Sequence, residues 1–172
     1  MKWKVAWVEM KKYVIKTAQK RVINLTQPGE YQVLLTCSGA EAEIKGIFLA
    51  QNHDQVNVTI IVHHSAPHTR AQTTLKAVGR DQSRIKLVGR IKIDPDCGQT
   101  HSFLTERILL LSDQATAETV PDLEIETDDV KCSHAASISH LPESQLFYLM
   151  SRGLDRHLAE NLIIGGFLEM GE

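Results

Sequence analysis

The chain is 172 residues long, 42% hydrophobic and 23% charged, with a formal net charge of −2 at pH 7, the make-up of one globular domain with a sizeable core. A near-neutral balance supplies no electrostatic pull towards nucleic acid or an anionic membrane, and no run of about 18 apolar residues is present to span a bilayer. Three cysteines, Cys37, Cys97 and Cys132, are odd in number and show no C-x-x-C or zinc-type spacing, so reduced thiols and a cytoplasmic address are expected.

Residues 1–21 gather Lys2, Lys4, Lys11, Lys12, Lys16, Lys20 and Arg21 against Glu9 alone. This reads as a solvated basic face and not as a secretion signal, because no apolar h-region accompanies it. From about Val5 to Lys131 short strand-like runs succeed one another: "EYQVLLTCSG", "AEIKGIFLAQ", "QVNVTIIVHH", "AQTTLKAVGR", "SRIKLVGRIKI" and "ERILLLS". They are rich in Val, Ile, Leu and Thr and are separated by clusters of Gly, Asn, Asp, Pro or Ser. Alternation is clearest in "RIKLVGRIKI", where Ile85, Leu87, Gly89, Ile91 and Ile93 share one face, and a glycine there marks close backbone approach. In "DLEIETDDV", Leu123, Ile125 and Thr127 face one way and Glu124, Glu126 and Asp128 the other. The six acids between Glu118 and Asp129 thus form mostly the wet face of a strand. Asn-Gly and Asp-Gly pairs are absent from the sequence, which disfavours tight hairpins. Sandwich, barrel and solenoid all fit, the solenoid best; no fixed repeat period can be read.

Among these runs lie four histidines that suggest metal chemistry: His53 in "QNHDQ", and His63, His64 and His68 in "VHHSAPHTR". They define one candidate function, a metal-dependent enzyme on an all-β body. The Ala-Pro turn breaks any regular ligand spacing, so turn and surface histidines are the plainer reading. Neither a G-x-S-x-G nucleophile elbow nor a Gly-rich phosphate loop is found.

Farther along, "DDVKCSHAASISHLPESQLFYLMSRG" opens at Asp128. If Val130 to His134 are extended, Cys132 and His134 point to the same side. An imidazole beside a thiol can raise its thiolate fraction, and both groups suit iron or sulfur chemistry. An ordinary buried strand end is the alternative. After Ser139 the period changes to helical. Pro142 and Glu143 suit a first turn, Leu146, Phe147, Leu149 and Met150 supply an apolar stripe, and Gly153 can take a left-handed cap. Asp155 then caps a second helix carrying Ala159, Leu162, Ile163 and Phe167 at helical spacing.

The block from "DLEIETDDVKCSH" to "LFYLMSRGL", with the H-x-x-P-x-T turn at His64–Thr69, the G-x-I-x-I strand at Gly89–Ile93, "LLLS" at Leu109–Ser112 and P-x-LEI at Pro121–Ile125, resembles the SufB/SufD family, scaffold subunits of SUF iron–sulfur cluster assembly. The likeness is closest to SufD and runs from about residue 30 to 168. It implies a right-handed parallel β-helix over 1–138 followed by a short C-terminal helical hairpin over 139–172. It also implies a non-catalytic role in which the β-helix pairs with a SufB-type or identical chain. The C-terminal helices would dock a SufC-type ABC ATPase, and a transient iron–sulfur cluster would be assembled. By this motif the family's functional SufD histidine falls on His134, as a ligand or interface group, with Cys132 beside it as a possible sulfur acceptor. Relatives carry an N-terminal helical region and a longer C-terminal tail than the sequence shows.

Overall fold

Alternating branched residues can bury one face of a strand only if a second sheet covers it, and here the two sheets come from one winding chain. The computed structural model describes residues 10–169; Lys2, Lys4 and Glu9 of the basic segment lie outside the described residues. Ten strands follow in order: β1 (Lys11–Ile15), β2 (Lys20–Leu25), β3 (Gly29–Leu35), β4 (Glu41–Ala50), β5 (Gln55–His64), β6 (Arg70–Gly79), β7 (Arg84–Ile93), β8 (Thr100–Leu110), β9 (Thr116–Ile125) and β10 (Val130–His140). Odd strands form one five-stranded sheet in the order β1-β3-β5-β7-β9, and even strands form the other, β10-β8-β6-β4-β2. Every pairing is parallel. This is a parallel β-helix, as the resemblance implied, followed by two helices.

One coil takes 29 residues from Gln55 to Arg84 and 32 from Arg84 to Thr116, whereas Lys11 to Tyr31 takes 20. Loop length at the corners absorbs the difference, which is why no period is legible. Corner residues Asn52 and Asp81 are left-handed, at φ 54° and 60°, a conformation their short polar side chains tolerate. They stack, Asn52 N–H donating to Asp81 Oδ2 at 2.9 Å. The inward faces make one apolar column that includes Ile60, Val62, Leu87, Ile91, Ile93, Leu104 and Ile108. The predicted alternation of Ile85 through Ile93 holds at every position.

Two boundaries differ from the sequence reading. Strand β8 starts at Thr100, ahead of "ERILLLS", because Ser102 and Leu104 continue its buried face. Strand β9 stops at Ile125, so Thr127 and Asp128 belong to the corner. Outward acids of β9 pair with outward bases of β7: Glu118 with Lys86 at 3.0 Å, Asp122 with Arg90 at 2.6 Å, and Glu124 with Lys92. Such exposed pairs contribute little individually.

One polar group lies deep in the column. His64 is fully buried. Thr69 Oγ1 donates its hydrogen to the Ala66 carbonyl, so it accepts from His64 Nδ1–H at 2.8 Å and from the Thr100 hydroxyl at 3.1 Å. Nε2 is then left to accept from the Ser102 hydroxyl at 3.0 Å. The ring is neutral and fully bonded. Burial, with a smaller contribution from His63, pulls its pKa from 6.5 down to about 4. Because the folded pKa lies below the unfolded one, the unfolded chain binds the proton first as pH falls. Stability should therefore be flat with respect to this group above pH 6.5 and fall between 6.5 and 4, by up to about 3 kcal/mol. Denaturant melts at pH 7 and 4.5 test this: His64→Gln should lose markedly less stability between the two than wild type. Equal losses would assign the acid sensitivity elsewhere.

After His140, α1 (Glu143–Ser151) and α2 (Arg156–Leu168) pack on the even-numbered sheet. Gly153 adopts φ +92° at the end of α1, and the Asp155 carboxylate accepts from Leu158 N–H at 2.9 Å to cap α2, both as predicted. Lys76 anchors the far end: its ammonium donates to the Phe167 and Glu169 carbonyls at 2.8 and 2.5 Å, satisfying terminal carbonyls of α2. The Phe167 ring lies under Lys76 and Arg107. The predicted α1 stripe is only partly inward: Leu146 is buried, but Phe147 is 76% exposed.

Candidate functional site at the open end of the β-helix

Strands β9 and β10 are edge strands, one for each sheet. Register assigns their inward faces. Leu123 and Ile125 lie beside Ile91 and Ile93, and Ile138 lies beside Ile108; all three neighbours are fully buried, yet Leu123, Ile125 and Ile138 are 44%, 38% and 43% exposed. These are core-facing residues with no coil above them among the described residues, which leave the end of the apolar column uncovered.

Cys132 and His134 belong to that same face, in register with buried Ser102 and Leu104, so the predicted co-facing of the pair is found. Their chemistry differs from expectation. The Cys132 thiol is pushed up by burial, partly opposed by a hydrogen bond from the Ser102 backbone, and the imidazole does not lower it. His134 has another partner: its Nε2 lies 3.1 Å from Glu106 Oε2. Glu106 is fully buried, and its other oxygen, Oε1, has no hydrogen-bond partner. Burial raises the Glu106 pKa, and the hydrogen bond to His134 opposes the rise.

Gly89 makes the room. A Cβ there would sit 2.2 Å from Leu104 Cδ2 and 2.8 Å from Glu106 Oε1. The close approach inferred for Gly89 is thus to side chains reaching across from β8. Glu106 escaped the sequence reading because "ERILLLS" placed it at a strand start. Read from Thr100, the alternation Ser102, Leu104, Glu106, Ile108 points a carboxylate into the core, and that is the signal that finds it.

The four candidate metal histidines do not converge. His63 and His64 alternate across β5, His63 lying 2.8 Å from Asp94 and His64 in the buried network. His68 is a left-handed corner residue at φ 59°, and His53 is exposed in the corner between β4 and β5. Among the described residues no three His, Cys, Asp or Glu side chains come together as a metal site. Cys97 is buried and its thiol pKa raised by burial and by Asp94 and Asp96. No helix of the described residues is long and apolar enough to cross a membrane. A second apolar surface is formed by the helices, where Phe147, Tyr148, Met150, Leu158 and Leu162 are exposed.

Comparison with known proteins gives a family match over residues 13–167, described as SUF system FeS cluster assembly, SufBD core domain. An iron–sulfur cluster assembly SufBD family protein of Mycobacterium leprae is 31% identical over 165 residues, covering 88% of this chain and 42% of the relative. One from Mycobacterium tuberculosis is 31% identical over 138 residues, 76% of this chain and 35% of the relative. One from Pyrococcus horikoshii is 35% identical over 127 residues, 74% and 28%. The chain spans well under half the length of these relatives.

Proposed function

The chain belongs to the SufBD core family of the SUF iron–sulfur cluster assembly system, and from that premise we propose that it acts as a SufD-like scaffold without catalysis of its own. In this reading the uncovered end of the β-helix pairs with a second β-helix, of a SufB-type or an identical chain. The nascent cluster, as cargo, is built where the two meet. His134 is the group that meets it, with Cys132 as an accessory sulfur acceptor. The observation that carries the reading is the open mouth itself. Leu123, Ile125 and Ile138 are core residues left 38–44% exposed, on the same inward faces as Cys132 and His134. Large exposed apolar groups at an unpaired strand edge are what a pairing surface requires.

The exposed apolar residues of α1 and α2 support docking of a SufC-type ABC ATPase, whose nucleotide cycle would drive conformational change in the pair. A thiol raised by burial is a weak nucleophile at neutral pH, so Cys132 would receive sulfur only after the mouth is remodelled by its partner. The test is an anaerobic pull-down of the tagged chain from native lysate, read by mass spectrometry. Recovery of an ABC-type ATPase with a SufB-like chain, or with a second copy, is the expected result. Stoichiometric metal insensitive to His134 substitution, with no ATPase recovered, would favour the histidine enzyme and overturn the scaffold.

A further inference from the structure

A carboxylate has no energetic reason to occupy an apolar column. Desolvating it costs several kcal/mol unless its oxygens are bonded, and only one oxygen of Glu106 is. An apolar residue of similar volume would fill this space at lower cost. Three strands nonetheless shape the place it occupies: β8 carries the carboxylate, β10 brings His134 to it, and β7 opposes it with Gly89, which alone among residues leaves the hollow free. The arrangement holds one atom of one imidazole. His134 itself is only 9% exposed in its side chain, so the ring cannot turn freely.

We propose that Glu106 is the positioning residue for His134: its Oε2 accepts the Nε2–H, which fixes the tautomer with the lone pair on Nδ1 and makes Nδ1 the atom offered at the mouth of the β-helix. No hydrogen bond to Nδ1 is present among the described residues. A carboxylate behind an imidazole in this way orients the ring and raises the basicity of the opposite nitrogen, and removing it commonly lowers affinity or activity 10–100-fold. That Nδ1 is offered to a nascent cluster rests on the assembly reading; the tautomer and its cause do not.

Long-range 1H–15N spectra of the full chain at pH 8 identify which ring nitrogen of His134 carries the proton. The expected result is Nε2–H alone in wild type and in Glu106→Gln, whose amide oxygen can still accept, with both tautomers populated in Glu106→Leu. A wild-type Nδ1–H signal, alone or beside Nε2–H, would overturn the proposal. So would a Glu106→Leu spectrum identical to wild type. Should Glu106→Leu fail to fold, the wild-type spectrum still decides. Cluster yield with the partner subunits forms the second arm, with Glu106→Leu expected to lower it roughly 10–100-fold and Glu106→Gln to retain most of it. If His134→Ala abolishes yield and Glu106→Leu leaves it unchanged, Nδ1 is not the cluster-facing atom, although the assembly reading stands. If neither substitution matters, the assembly reading fails while the tautomer result is unaffected.

Discussion

His134→Ala is expected to abolish cluster assembly and, at the same time, to lower the thermal midpoint of the chain. The second effect follows from the partner left behind. Glu106 is fully buried and loses its hydrogen bond, and stranding one member of a buried pair costs on the order of 3 kcal/mol. For a domain of this size that corresponds to a drop of about 6–12 °C. Uptake of a proton by the stranded carboxyl, whose pKa burial already raises, softens the loss at acid pH. Loss of function in the single variant is therefore ambiguous, and a double-mutant cycle resolves it. His134→Ala with Glu106→Leu removes both polar partners, so stability should return towards wild type while assembly stays absent. Assembly recovered together with stability would mean that His134 matters only to the fold.

A charge at the mouth should have the opposite signature. Ile138→Asp, alone or with Leu123→Asp, replaces groups that are 43% and 44% exposed, so the isolated chain can keep the new carboxylate hydrated and its melting should change little. In the paired state the same carboxylate would be dry and unpaired, a cost of several kcal/mol, and pairing should weaken at least about 100-fold. Sedimentation or pull-down with the partner chain measures it. Any two-fold axis perpendicular to the coil axis sets the edge strands of two such β-helices antiparallel, a hydrogen-bonding pattern both edges can accept. Unchanged pairing in Leu123→Asp/Ile138→Asp would exclude this end as the interface.

The sequence carried the fold where the physics is local. Period-2 alternation places Ile85, Leu87, Ile91 and Ile93 correctly because one sheet face is buried along its whole length. The Asp155 cap and Gly153 are legible because each is a property of a few adjacent residues. The coil period is not, since partners such as Gln55 and Arg84 are set by corner geometry and not by neighbouring composition. Cys132 and His134 could be paired from spacing alone; Glu106 could not, because its contact to His134 spans 28 residues and two strands. The exposure of Phe147 could not be read either, because an apolar stripe tells only that a surface is sticky, and not whether this chain or another covers it.

A stack of coils that bind only the coil above and the coil below behaves as a one-dimensional chain of units, with most of its cooperativity in nearest-neighbour terms. Every interior coil is held from two sides. The last coil, β9 with β10, is, like the first, β1 with β2, held from one side among the described residues, so it should open before the interior coils and its amides should exchange faster than theirs. His134 rides on that last unit and Glu106 on the one beneath it, which places their hydrogen bond across the junction that frays. A second β-helix seated on the end would supply the missing neighbour, and slowed exchange in β10 would report its arrival before any chemistry began.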